Sequence, residues 1–197
     1  NVTYEQTHKT KQGKHLLMAG LVHTKARGEE LPVAFVHPLE WNGRVVVWLS
    51  EAGKAGLFAN GDQPRPEVQQ LVDAGISVVG VDLLYQGEFL PEGQAKGLEK
   101  TPRVKNPREF AGYTFGYNHA VIASRVHDVL TVLAFARGYE KPPTRIDLVG
   151  LGSTGAIAAL AKAQAGDAHR RRHARFPLRK AAGNSRSEFP ARWCQVR

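Results

Sequence analysis

Three short runs of almost uninterrupted apolar residues decide what this chain can fold into: GRVVVWLSEAG (43–53), ISVVGVDLL (76–84) and RIDLVG (145–150). A strand with one wet face alternates apolar and polar residues, whereas a strand covered on both faces does not. Each run is followed by a segment with helical apolar spacing: PRPEVQQLVDAG (64–75), NHAVIASRVHDVLTVLAFARGY (118–139) and STGAIAALAKAQA (153–165). Buried strands alternating with helices at this spacing imply a parallel sheet with right-handed crossovers. Two earlier segments, KHLLMAGLVH (14–23) and PVAFV (32–36), read as strands pairing antiparallel at the sheet edge. The expected fold is therefore three-layer α/β/α, with a mostly parallel sheet and an antiparallel N-terminal edge. In such sheets ligands sit at the carboxyl ends of the strands. Here those ends are Ser50–Gly53, Asp82–Glu88 and Leu151–Thr154.

The chain has 197 residues, enough for one domain with its own core. Residues 1–167 carry the strand and helix pattern, interrupted at 84–112 by a polar excursion rich in Gly and Pro. The whole chain holds 27 Lys+Arg and 18 Asp+Glu; nine and one of these fall in 168–197, leaving 18 and 17 in the domain. The basicity belongs to the tail, so the domain carries no basic stripe for specific nucleic-acid recognition. The tail itself reads as a basic arm, as a disordered segment, or as an out-of-frame translation. A one-base shift permits balanced charge and apolar spacing there, and the nucleotide sequence decides between these readings. No apolar run reaches the ~18 residues of a membrane span. The first 14 residues lack the apolar stretch of a signal peptide, and localisation is left open. One cysteine, Cys194, excludes an internal disulfide. No histidine spacing fits a zinc site, and no metal or cofactor is expected.

The turn after the third run, VGLGSTG (149–155), fits two templates. Gly150, Gly152 and Gly155 match G-x-G-x-x-G, which lays a pyrophosphate on a helix N-terminus. That fingerprint also wants an acidic residue about 20 positions on, where this chain reads RRRHARFPLRK (170–180). The same strand–turn–helix, with its serine, suits a nucleophile elbow.

The four segments VVVWLSEAGKAGLF, ISVVGVDLLYQGEF, GYNHAVIASRVHDVLTVLAFA and IDLVGLGSTGAIAALAKA, in this order, resemble the α/β-hydrolase superfamily over about residues 30–167. More narrowly they are similar to its acetyl-xylan-esterase-like and dienelactone-hydrolase-like members, with a C-terminal truncation. The resemblance implies hydrolysis of a small, acetylated type of carboxylic ester. It implies Ser153 as nucleophile in an elbow built on Gly150, Gly152 and Gly155. It also implies an oxyanion hole from main-chain amides at Glu51 and Ala52. Tyr85, Gln86 and Glu88 then line the crevice.

The register stays open. Alignment on the strand puts Gly152 at the nucleophile position, and alignment on Ser153 puts Leu151 at the first glycine. Ser153 also suits the N-cap of the next helix. A serine nucleophile needs a base within about 3 Å, and the family places its acid and histidine after the nucleophile. Only His169 and His173 follow Ser153, both within the basic tail. His119, at the head of the long helix, is the remaining candidate base, beside a base donated by a second subunit. His127 and Asp128 are adjacent on that helix and point apart. The competing reading is a non-catalytic remnant or binding module, and the third is dinucleotide binding. A sheet ending after the elbow helix leaves an apolar edge open, so self-association is expected.

Overall fold

The computed structural model describes residues 2–25, 28–90, 119–167 and 192–196, the last segment as main chain only. Its elements are β1 (Val2–Gln12), β2 (His15–Thr24), β3 (Glu29–Pro38), β4 (Arg44–Leu49), β5 (Phe58–Asn60), β6 (Gln63–Pro64), α1 (Pro66–Asp73), β7 (Ser77–Val81), α2 (Val121–Gly138), β8 (Arg145–Gly150), α3 (Thr154–Asp167) and β9 (Arg192–Val196). Seven of the strands form one sheet in the order β1-β2-β3-β7-β4-β8-β9, and β5 pairs with β6 in a separate ribbon.

β4 is the parallel centre of the sheet. It runs beside β7, with Val46 opposite Val78, and beside β8, with Val47 opposite Leu148. Its alternate residues enter two cores, which is why the run is apolar throughout. Val47 and Leu49 join Val79, Val81 and Leu148 beneath α2 and α3. Val46 and Trp48 join Val78 and Val149 beneath Val68 and Val72 of α1. One helix on one face and two on the other give the α/β/α layering expected from the sequence. The parallel pairing is concentrated in β7-β4-β8; the outer strands pair antiparallel.

The sheet extends beyond the sequence reading at both edges. The polar stretch Val2–Gln12 is a full strand, hydrogen-bonded to β2 with Gln12 opposite His15 across the two-residue turn Gly13–Lys14. Its side chains are largely exposed, so it lacks the apolar signature of a strand and is held chiefly by the ladder. At the other edge β9 pairs antiparallel with β8, with Cys194 opposite Leu148. The edge beside β8, expected to be open, is thus covered by a piece of the basic tail. Residues 168–191, with His169 and His173, lie outside the described residues, as do 91–112 of the polar excursion.

Leu148 is fully buried at the junction of β4, β8 and the α2–α3 face. Leu148→Ala should destabilise the chain by about 2–5 kcal/mol through lost burial and a residual cavity. Urea denaturation checks this, and a loss under about 1 kcal/mol would contradict the assignment of this face as core.

Candidate active site

The turns that leave β4, β7 and β8 meet at the carboxyl end of the parallel strands, and hydrogen bonds join them. The Gln86 amide donates to the carbonyls of Ser50 (3.2 Å) and Glu51 (3.4 Å), while its Oε1 accepts from the Leu83 N–H at 3.2 Å. Gln86 is buried, so it braces the crevice from below, and its neighbours face outward. Tyr85 is exposed with φ at +63°, the only described non-glycine residue in the left-handed region. Glu88 pairs with the Lys54 ammonium at 2.6 Å.

A buried carboxylate organises this end of the sheet. Asp82, which closes β7, is fully shielded from solvent. It accepts from the Lys54 N–H at 2.8 Å and the Glu88 N–H at 3.1 Å, and it forms an ion pair with the Lys54 ammonium. A buried charge is tolerable only with such partners. Gly53 and Gly87 crowd the same carboxylate with positive φ angles, and a Cβ at either position would lie 2.1 Å from a carboxylate oxygen. Sequence reasoning placed Asp82 in the crevice stretch without giving it this role. Its signal was a charged residue at the end of an otherwise apolar buried strand.

From the opposite side, α2 fixes the exit of β7. The Leu84 N–H donates to Asp128 at 2.9 Å, and Arg125 Nε donates to the Leu84 carbonyl at 2.8 Å. Burial pushes the Asp128 carboxyl above the ordinary range, opposed by the Leu84 hydrogen bond. His127 turns away toward Glu29, at 3.4 Å, so these neighbours do point apart. His119 lies two residues before α2 rather than in its first turn, and it is exposed. Among the described residues no hydrogen bond joins it to Ser153.

The elbow is the turn between β8 and α3. A Cβ on Gly150 would lie 2.7 Å from the Thr154 carbonyl oxygen and 2.8 Å from the Gly155 Cα, so the helix passes tight against the strand. Thr154, buried, ties the turn down through its hydroxyl to the carbonyls of Leu49 (2.9 Å) and Leu151 (2.8 Å). Gly152 carries the left-handed backbone, with φ at +59°. Ser153 follows it, exposed, and its N–H donates to Glu51 Oε1 at 3.0 Å. Glu51 stands at the end of β4, so this contact bridges two of the three strand ends. Hydrogen bonds from the Ser153 main chain and side chain hold the Glu51 carboxyl below its ordinary value. The main-chain amides of Glu51 and Ala52 have no hydrogen-bond acceptor among the described residues. Among those residues no group of three or more His, Cys, Asp or Glu is placed to hold a metal ion, and no helix is long and apolar enough to cross a membrane.

No protein-family model matches the sequence, and no curated protein matches it. Solved structures do share the fold. A glucuronoyl esterase from Solibacter usitatus superposes with a TM-score of 0.55 at 16% identity, over 83% of this chain and 49% of its own. A cold-adapted esterase from an Arctic intertidal metagenomic library, in a PEG-bound complex, superposes with a TM-score of 0.53 at 20% identity, over 84% and 62%. The chain thus spans about half the length of the glucuronoyl esterase. These likenesses agree with the α/β-hydrolase resemblance at the level of fold.

The lowered Glu51 pKa belongs to a group whose charged form is favoured in the fold. Its stabilising contribution is present above the unfolded value and is lost as pH falls through the folded one. Glu51 is solvent-exposed, so the effect is small. NMR titration should find the Glu51 carboxyl below 4.5. In Ser153→Ala it should return only part of the way, because the amide donor remains. A value at or above 4.5 in the unaltered chain would contradict the contact.

Proposed function

We propose that the crevice at the carboxyl end of β4, β7 and β8 hydrolyses a small carboxylic ester, with Ser153 as the attacking residue. The observation that supports this reading is the hydrogen bond from the Ser153 N–H to Glu51, which ties the strand-to-helix turn carrying an exposed serine to the turn after β4, where the Glu51 and Ala52 amides have no acceptor among the described residues. In the proposed reaction Ser153 Oγ adds to the ester carbonyl carbon while its proton passes to a base. The carbonyl oxygen becomes an oxyanion facing the Glu51 and Ala52 amides. The C–O bond to the alcohol breaks as the proton returns to that oxygen, and water then cleaves the acyl-serine to release the carboxylate. Oxyanion donors of this kind are worth about 10²–10³ in rate each. His119 is the base assigned from the sequence; among the described residues no hydrogen bond joins it to Ser153, and a base donated by a second subunit is the alternative. Glu51 already accepts from Ser153, but its lowered pKa suits it to orienting the serine rather than taking its proton.

A second reading is favoured by Gly152. The strained, left-handed position in an elbow belongs to the nucleophile, and the N–H of the following residue belongs to the oxyanion hole. In that register Gly152 offers no attacking atom, and Glu51 places a carboxylate on the Ser153 amide where an oxyanion would sit. The crevice would then bind an ester or carboxylate without cleaving it. Both readings disfavour a pyrophosphate, since the α3 N-terminus already takes a carboxylate.

Turnover of p-nitrophenyl acetate separates the two. Nucleophilic attack by Ser153 requires the rate to fall at least about 100-fold in Ser153→Ala. Equal rates in the two proteins would reject it. If neither turns over and acetate or an ester analogue binds more tightly to Glu51→Gln, the second reading stands. Self-association belongs to the same proposal, through Val121, Ile122 and Leu160, which α2 and α3 expose. Light scattering should report a mass above 21.6 kDa, and a monomer at high concentration would count against it.

A further inference from the structure

A second cavity lies at the opposite end of the sheet. It opens between the C-terminal half of α2 and the strands, with Val45 and Ser77, at the amino ends of β4 and β7, among its lining residues. Its volume is about 300 Å³, at the small end of the range for pockets that hold organic ligands. Its wall is a set of interlocked rings. Tyr4 and Phe135 lie 5.5 Å apart between centroids, Phe35 and Phe135 6.2 Å, and Phe135 and Tyr139 5.8 Å. Such a wall presents both ring faces and ring edges to a guest, the geometry in which another aromatic ring packs best.

The polar lining has one sign. Lys9 and Lys141 line the cavity and are exposed, which puts them at its mouth, and among the described residues no Asp or Glu lines it. His37 also lines it; burial and the nearby Lys9 lower its pKa, so the imidazole is neutral and leaves the charge to the lysines. The Tyr4 hydroxyl is buried without a hydrogen-bond partner among the described residues. Burial and Tyr139 push its pKa up to about 12, so it stays a neutral donor. The hydroxyl is shielded from solvent, so Tyr4 offers a guest its ring rather than its oxygen.

We propose that this cavity is a binding site for an aryl carboxylate, distinct from the strand-end crevice. The ring packs against Tyr4, Phe35 and Phe135, and the carboxylate meets the ammonium groups of Lys9 and Lys141 at the mouth. The site does not depend on Ser153 being a nucleophile, because it shares no residue with the elbow.

Calorimetric titration of the full chain with naphthalene-2-carboxylate tests it, with naphthalene-2-carboxamide as the neutral isostere. The expected result is saturable one-to-one binding of the carboxylate, at least tenfold weaker for the carboxamide and for Lys9→Gln/Lys141→Gln. Those lysines are exposed, so the double variant should melt as the unaltered chain does. Ala136→Phe, which fills the cavity from α2, should abolish binding; if that variant unfolds, Ala136→Leu replaces it. Absence of saturable binding at millimolar ligand would overturn the proposal. Equal affinity for the carboxamide, or binding undiminished in the lysine or cavity-filled variants, would overturn it as well.

Discussion

Three strands whose side chains are apolar on both faces can satisfy their backbone groups only inside a sheet, with a neighbouring strand on each side. That constraint puts β4 between β7 and β8 and obliges the chain to cross over the sheet to reach each parallel neighbour. With the strands parallel, their carboxyl ends share one edge, and the turns that leave them converge. Everything chemical in the crevice follows from this convergence. Gln86 reaches the β4 turn, Lys54 reaches Asp82 at the end of β7, and Glu51 reaches Ser153 at the end of β8.

The convergence is expensive in polar terms, and the local sequence shows how it is stabilised. Asp82 is a carboxylate in a dry place, so it holds an ammonium and two main-chain donors. Two glycines with positive φ stand against it because a side chain at either would strike its oxygens. Removing one partner of such a group costs more than the pair contributes, because the other charge is left buried and uncompensated. The rigid base formed by Asp82, Lys54 and Gln86 gives the exposed residues above it, Glu51, Tyr85 and Ser153, a fixed platform.

The central strands were legible because burial on two faces writes itself into the sequence as continuous apolar runs. The bounds of β8 from the sequence agree with the structure, and the three strand-end stretches do assemble. β1 was not legible, since an edge strand held mainly through its backbone needs no apolar alternation, and Lys9, Lys11 and Glu5 point to water as readily from a strand as from a loop. β9 was hidden for a related reason, within a tail whose charge dominated its pattern. The role of Gln86 could not be read because an amide bracing two carbonyls and an amide lining a crevice have the same letter and the same position. The elbow register was ambiguous because glycine and serine are both small. Backbone geometry separates them: the left-handed angle falls on Gly152, and Ser153 takes the ordinary conformation beside it.

The chemistry of the crevice therefore turns on what Ser153 does with its hydroxyl. Mass spectrometry of the full chain after exposure to an aryl fluorophosphonate reads this directly, since a nucleophilic serine displaces fluoride and keeps the phosphonyl group. Attack by Ser153 predicts one adduct per chain, mapped to the peptide containing residues 150–162 and absent in Ser153→Ala. An unlabelled chain, or a label elsewhere that survives Ser153→Ala, would contradict it and leave the crevice as a site that binds without cleaving.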